Sequence, residues 1–307
     1  MPRTAGQGLV GDFMQRINRI RQVLVLVGAG SLLLATGGVA GASSLKGTYN
    51  AADAALVPSA YKSTTLQVAT DATYPPDESI VGTTMVGFDV DLMGAIATTL
   101  GVKYKENNIT FDDIIGGIKG GKYAIGNSSF TDEKSREKSV NFVDYFQAGE
   151  GVYSLSTSKL TFTGLSSFCG YKVAVETGTT EQADATTEVS KCPASKPLTV
   201  LSYPTQTEAN AAVLSSQANF GFVDSQVAGY IVSLAKGKFK LVGSAIEVAP
   251  YGIATPKTSS GKKLAVAIEA AIKTLIANGT YHAILAKWGV TAGALPVSKI
   301  VLNGATS

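Results

Sequence analysis

In 307 residues the chain has one histidine, one tryptophan, two cysteines and four methionines. With His282 as the sole imidazole, neither a histidine-rich zinc centre nor a Ser-His-Asp relay is readily built. No GxxxxGK[ST] loop occurs, so the chain has no nucleotide-phosphate cradle of that kind. Cysteine is absent before position 169, which leaves no thiol near the N-terminus to carry a lipid. Charge is also scarce, at 16% of residues. The formal net charge of +3 is a property of the N-terminus: the first 42 residues hold four of the 26 Lys and Arg (Arg3, Arg16, Arg19, Arg21) and one of the 23 acids (Asp12). The remaining 22 bases balance 22 acids, so no excess of positive charge is available to displace phosphate counterions, and nucleic acid is not an expected partner. Nothing in the residue pattern calls for a cofactor or a metal.

What is present is apolar residue in quantity, 45% of a chain long enough for two domains of ordinary size. Arg16, Arg19 and Arg21 precede an apolar run over 23–42, which ends in Ala40, Gly41 and Ala42. Basic, apolar and then small is the order of a secretory signal peptide. An uncleaved membrane anchor is the alternative, since 20 residues just span a bilayer, although five glycines weaken the helix. Residues 1–42 are therefore expected to be a signal peptide or N-terminal membrane anchor, which puts the protein in the periplasm or at the extracellular cell surface. Cys169 and Cys192 agree with export. The 22 residues between them are polar and loop-like, and in an oxidising compartment the pair is expected to form a disulfide rather than remain two unrelated buried thiols.

Residues 43–63 are small and polar without a sustained period, and read as a linker. Beyond them, 66–70 (LQVAT) predicts a strand running into a turn with Asp71, Tyr74, Pro75 and Pro76. Apolar residues recur at helical spacing over 88–100, 102–106 alternates as a strand, and 111–119 predicts a second helix. The rhythm returns later. Strands are expected at 172–176, 199–201 and 220–223, each followed by a helical stretch, and 251–255 resumes a strand. A long amphipathic helix is expected over 262–287, with Leu264, Ile268, Ile272, Leu275 and Ile276 on one side. Alternating strands and helices imply an α/β fold with a mostly parallel sheet. The expected division is a first lobe built from 64–152 and 248–303 and a second lobe from 156–244, with the chain crossing between them twice.

The stretch from about Leu66 to Trp288 resembles the polar amino-acid-binding proteins of ABC importers, the group that includes glutamine-, histidine- and lysine/arginine/ornithine-binding proteins. Eight segments carry the likeness in order: VATDATYPP (68–76), VGFDVDL (86–92), TF (110–111), SSFTDEKSREKSVNF (128–142), VAVETGTTEQ (173–182), FGFVDSQVAGY (220–230), YGIATPK (251–257) and LIANGTYHAILAKWG (275–289). The resemblance implies the two-lobed periplasmic-binding-protein-like fold (type II), with two hinge strands near 151–154 and 246–250 and the ligand in the interlobe cleft. It also implies a free L-amino acid as ligand, a membrane permease of an ABC importer as partner, and a monomer.

A zwitterion that loses its hydration needs a charge-assisted partner at each end. Arg136 reads from composition as one more residue of a solvated charge run. The resemblance makes it the carboxylate ligand, for it stands five residues after Thr131, as the family's arginine does, and guanidinium matches two oxygens. Ser129 and Thr131 align with family positions that contact the α-amino and α-carboxyl groups. Thr180, at a glycine-containing turn that opens a helix, is expected to donate its N–H to the same carboxylate. Asp224, where a strand meets a helix, is expected to face the ammonium, with an N-cap role as the competing or coexisting reading. Asp71, Tyr74 and Phe111 align with positions that contact or sandwich the ligand's side chain, so selectivity is expected from the first lobe, and Asp71 favours a basic or amide side chain. Glu176 is a further acid within reach of the cleft. Asp77 and Ser79 stand where many relatives have apolar residues, and Glu133 replaces a common threonine. The rival function is a cleft enzyme of the same fold, such as a cyclohexadienyl-type dehydratase with Glu176 or Glu133 as its acid, but no acid and base pair stands out.

Overall fold

Residues 45–305 of this computed structural model are described below. The expected signal or anchor at 1–42 lies outside them. The first departure from expectation is at 43–63, which is not a featureless linker. Asn50 caps helix α1 (Ala51–Leu56) by accepting the N–H groups of Ala52 and Asp53 at 2.9 and 3.2 Å, and a single turn, α2 (Ser59–Lys62), follows. Val57 is buried in the core, and the Thr274 hydroxyl donates to Asp53 at 2.7 Å. Six residues make less than two turns, too few for an apolar period to register.

Strand β1 (Thr65–Thr70) leads into a small antiparallel meander of β2 (Thr73–Tyr74), β3 (Glu78–Val81) and β4 (Thr84–Val86). Helix α3 (Phe88–Leu100) buries Phe88, Leu92, Ile96 and Leu100, one row at four-residue spacing. It stops at Gly101, whose left-handed φ of 65° lets its N–H reach the carbonyls of Ala97 and Thr98. After β5 (Lys103–Asn108) comes α4 (Phe111–Lys119), with Asp112 and Asp113 in its first turn and Phe111, Ile114 and Ile118 buried. Then follow β6 (Ile125–Gly126), the single turn α5 (Lys134–Glu137) and the 16-residue strand β7 (Val140–Leu155).

The second half comprises β8 (Lys172–Glu176), α6 (Thr180–Val189), β9 (Thr199–Tyr203), α7 (Gln206–Leu214), β10 (Phe220–Asp224), α8 (Ser225–Leu234) and β11 (Phe239–Leu241). The chain returns through β12 (Ile246–Pro256). The long helix expected at 262–287 is two helices, α9 (Ser259–Ala277) and α10 (Thr280–Trp288). Gly279 between them has φ 82°, a conformation glycine enters without steric cost, so the apolar row continues while the backbone turns. Cys169 and Cys192 form a disulfide.

One sheet runs through both halves in the order β5-β1-β6-β12-β7-β10-β8-β9, with β11 also on β7. Parallel pairs lie at its two ends, β5-β1-β6 and β10-β8-β9, while β12 and β7 pair antiparallel in the middle. Strand β7 changes partner along its length: Val140 to Glu150 run beside β12, whereas Glu150 to Leu155 take up β10 and β11. Strand β12 slips register between Ile246 and Ala249, where Glu247 has a φ of 48°. The cores divide at the same place. One set draws on residues 57–148 and 251–300, the other on 152–242, with Tyr74 reaching into the second set from the first lobe. The molecule therefore has two lobes tied by two long strands; the second is one continuous stretch of chain, whereas the first is assembled from the stretches before and after it.

Candidate ligand-binding site

Where parallel strands end, the loops that follow them face one another, and a cleft forms there. Here the loops after β1, β6, β8 and β10 converge on a small cavity. Its lining includes all eight residues expected from the sequence: Asp71, Tyr74, Phe111, Ser129, Thr131 and Arg136 from the first lobe, Thr180 and Asp224 from the second.

The first lobe holds its side chains rigidly. Asp71 follows β1, and its carboxylate accepts from the N–H groups of Thr73 at 3.0 Å and Phe111 at 3.1 Å, the latter at the start of α4. Its own N–H donates to Ser128 Oγ at 2.9 Å. Phe111 stacks on Phe130 with centroids 4.4 Å apart, and the Arg136 guanidinium lies 5.6 and 5.7 Å from the two rings. Arg136 donates to the carbonyl of Thr131 at 2.9 Å and, across the cleft, to that of Gly178 at 2.9 Å; its Nε is 3.4 Å from Glu133. Ser129 adopts a φ of 51° and turns its hydroxyl to Asp77 Oδ2 at 2.9 Å, so that group is engaged beneath the cavity floor.

From the second lobe, Gly178 with φ 85° and Thr179, which caps α6 through Gln182 N–H, bring Thr180 to the cleft. Thr180 Oγ1 lies 3.5 Å from Thr131 Oγ1 on the opposite lobe. The lobes are close here, for a Cβ on Gly178 would fall 2.8 Å from Cβ of Asp112. Asp224 stands at the N-cap position of α8 without a capping bond from its side chain. Its Oδ2 instead accepts from the Tyr74 hydroxyl at 2.6 Å, joining residues 150 apart in sequence, and its N–H donates back to the Tyr74 oxygen at 3.2 Å. The competing cap reading of this side chain does not hold in the fold.

The sequence reading passed over Glu78, Ser128 and Glu181, which also line the cavity, and gave Glu176 only a marginal part. Glu181 reads locally as an acid suited to a helix start, and Glu78 as a turn residue; only tertiary packing turns them inward. Five carboxyls thus surround one guanidinium. Burial raises Asp224 to about 7, partly offset by hydrogen bonds from Tyr74 and Tyr251, and burial with the neighbouring Asp224 charge lifts Glu181 to about 8. Glu176 is pushed well above the usual carboxylate range by burial and then by Asp71, and Asp71 is raised by burial. Beneath the floor, Asp77 and Asp89 are fully buried, as is Glu78 in the lining above them. Asp77 accepts from Gln226 of the second lobe at 2.7 Å, a polar bridge between the lobes.

An α/β molecule of two lobes joined by two long strands, with a charged cavity between the lobes, is a periplasmic-type binding protein. Residues 66–291 match the model of the bacterial extracellular solute-binding proteins, family 3, and the chain belongs to that family. Similar to it are the arginine-binding protein ArgT of Corynebacterium glutamicum, 31% identical over 69% of this chain and 69% of that protein, and the structure of an ancestral arginine-binding protein bound to arginine, 30% identical with a TM-score of 0.68 over 73% of this chain and 97% of the other. The ancestral amino acid-binding protein AncCDT-1, described as a precursor of cyclohexadienyl dehydratase, is 30% identical with a TM-score of 0.66 over 73% and 95% of the two chains. The chain is accordingly a solute-binding protein of the amino-acid ABC-transporter type.

Proposed function

We propose that this protein captures a basic L-amino acid between its lobes, outside the cytoplasm, and delivers it to the permease of an ABC importer. The observation that carries the reading is the charge census of one cavity: five carboxyls and one guanidinium, contributed by both lobes. A zwitterion uses one unit of each sign at its α-carbon, and the surplus of acid suits a second positive charge on the side chain. In this reading Arg136 and the Thr180 N–H hold the α-carboxylate, Asp224 with Thr131 and the backbone of Ser129 faces the ammonium, and Asp71, Tyr74 and Phe111 enclose the side chain. The lobes are 64–152 with 248–303, and 156–244, and residues 1–42 serve as the export signal or anchor. The protein acts as a monomer without catalysis.

Ligand that binds only the folded form raises the melting temperature. A thermal-shift screen of the exported portion against the twenty amino acids, ornithine and citrulline is expected to pick out arginine, lysine or ornithine. Stabilisation by acidic or apolar amino acids alone refutes the reading. Turnover of a cyclohexadienyl substrate by the purified protein would establish the enzymatic rival instead.

A further inference from the structure

The first turn of α8 reaches the opposite lobe twice. Asp224 meets Tyr74, and two residues on, Gln226 turns its side-chain amide the same way. Gln226 Nε2 donates to Asp77 Oδ2 at 2.7 Å and to the Tyr251 hydroxyl at 2.6 Å, so its two hydrogens both go to oxygens of the first lobe. Its Oε1 is buried with no partner, so the side chain makes no hydrogen bond within its own lobe. Asp77, Gln226 and Tyr251 all lie outside the lining of the ligand cavity.

Asp77 depends on this donor. It is fully buried beside two other buried acids, Glu78 and Asp89, and its own lobe has few hydrogens to offer them. Asp89 accepts from the Ser129 N–H at 3.0 Å and the Tyr145 hydroxyl at 2.8 Å, and Glu78 accepts from Ser128 Oγ at 2.8 Å. Asp77 has Ser129 Oγ at 2.9 Å, a hydroxyl with one hydrogen that Glu78 Oε2 and Asp89 Oδ2 also approach at 3.5 Å. Its Oδ1 has no partner. With alanine at 226, closed lobes would bury Asp77 on one contested hydrogen, whereas separated lobes would let water reach it.

We infer that Gln226 and Asp77 are positioning residues for ligand capture: their bond, with that of Gln226 to Tyr251, clasps the second lobe onto the first and favours the closed form without touching the ligand. The inference rests on the proposed capture of an amino acid between the lobes, but not on which one. Apparent affinity scales with the population of the binding-competent form, so a weaker clasp loosens every ligand by the same factor and leaves selectivity unchanged.

The experiment is calorimetric titration with arginine, lysine and glutamine, beside stopped-flow dissociation rates and a melt followed by circular dichroism. Gln226→Ala is expected to weaken each ligand that the wild type binds by one common factor, about 10- to 100-fold, mostly through faster dissociation. Gln226→Glu sets a carboxyl against Asp77 and should weaken binding further. Adding Asp77→Asn to Gln226→Glu reverses donor and acceptor, since the new amide donates to the new carboxylate, and should recover at least about tenfold of that loss. Gln226 is half-buried on a helix, so its alanine variant tests the inference even if the Asp77 variants fail to fold. A Gln226→Ala Kd within about threefold of the wild type overturns the clasp, and a lowered melting temperature beside it would make the residue merely structural. Unequal factors among the ligands, or no recovery in the reversed pair, overturn it as well. A wild type that binds glutamine but neither base overturns the basic-ligand reading and still tests the clasp.

Discussion

Removing Arg136 is the most direct perturbation of the site. The side chain is 11% exposed, and its two terminal nitrogens span the cleft, one on the Thr131 carbonyl and one on the Gly178 carbonyl, each at 2.9 Å. In the proposed complex the same fork holds the ligand carboxylate in a cavity little open to water. Truncating one partner of such a pair costs about 3–5 kcal/mol, because the remaining charge stays desolvated and unpaired. At about 1.4 kcal/mol per decade, Arg136→Ala should weaken binding roughly 10²- to 10⁴-fold. The fold should suffer far less. What it loses is a partly exposed contact with Glu133, worth about 1 kcal/mol at most, and the donors to the Thr131 and Gly178 carbonyls, about 1–3 kcal/mol in all, so the ligand-free melting temperature should fall by about 2–12 °C. Arg136→Lys keeps the charge but not the fork, and should fall between the two. Calorimetric titration with arginine and lysine, beside a melt followed by circular dichroism, reads both quantities. A variant Kd within about fivefold of the wild type would show that the carboxylate is held elsewhere and refute the assignment.

The buried acids set the pH dependence of the ligand-free protein. Asp89 at about 6, Asp224 at about 7, and Asp144 and Glu181 at about 8 all lie above their unfolded values. The folded chain thus keeps protons that the unfolded chain has released, and the associated stability is lost as pH rises through these values. The melting temperature without ligand should be higher at pH 5 than at pH 8, and the opposite slope refutes the raised values. The disulfide links residues 23 apart in sequence, and chain-entropy arguments assign such a loop about 3 kcal/mol. Cys169→Ser should therefore lower the melting temperature by about 6–12 °C, and an unchanged melt under oxidising conditions would show that the bridge adds no constraint.

Much of the fold was legible locally. Helices at 88–100 and 111–119 were expected where they occur, because an apolar row and a helix-ending glycine are written within a few residues of each other. The strand 172–176 and the pairing of Cys169 with Cys192 were equally local. Elements fixed by distant packing were less legible. Helix α1 is held by Asp53 against Thr274, 221 residues away, and the expected helix over 262–287 breaks at Gly279, a residue that helical periodicity passes over without comment.

The site divides in the same way. Motif spacing marked out eight residues, and the fold gathers all of them around one cavity. Their sequence neighbours do not reveal that the Asp224 side chain bonds to Tyr74 instead of capping its helix, nor that Glu176 and Glu181 of the second lobe line the same cavity as Asp71 of the first. Helix caps and turns depend on atoms a few residues apart, so sequence determines them nearly alone. The charge state of a carboxyl depends on how much water is excluded and which charges lie within a few ångströms, and those are set by segments that meet only when the chain has folded.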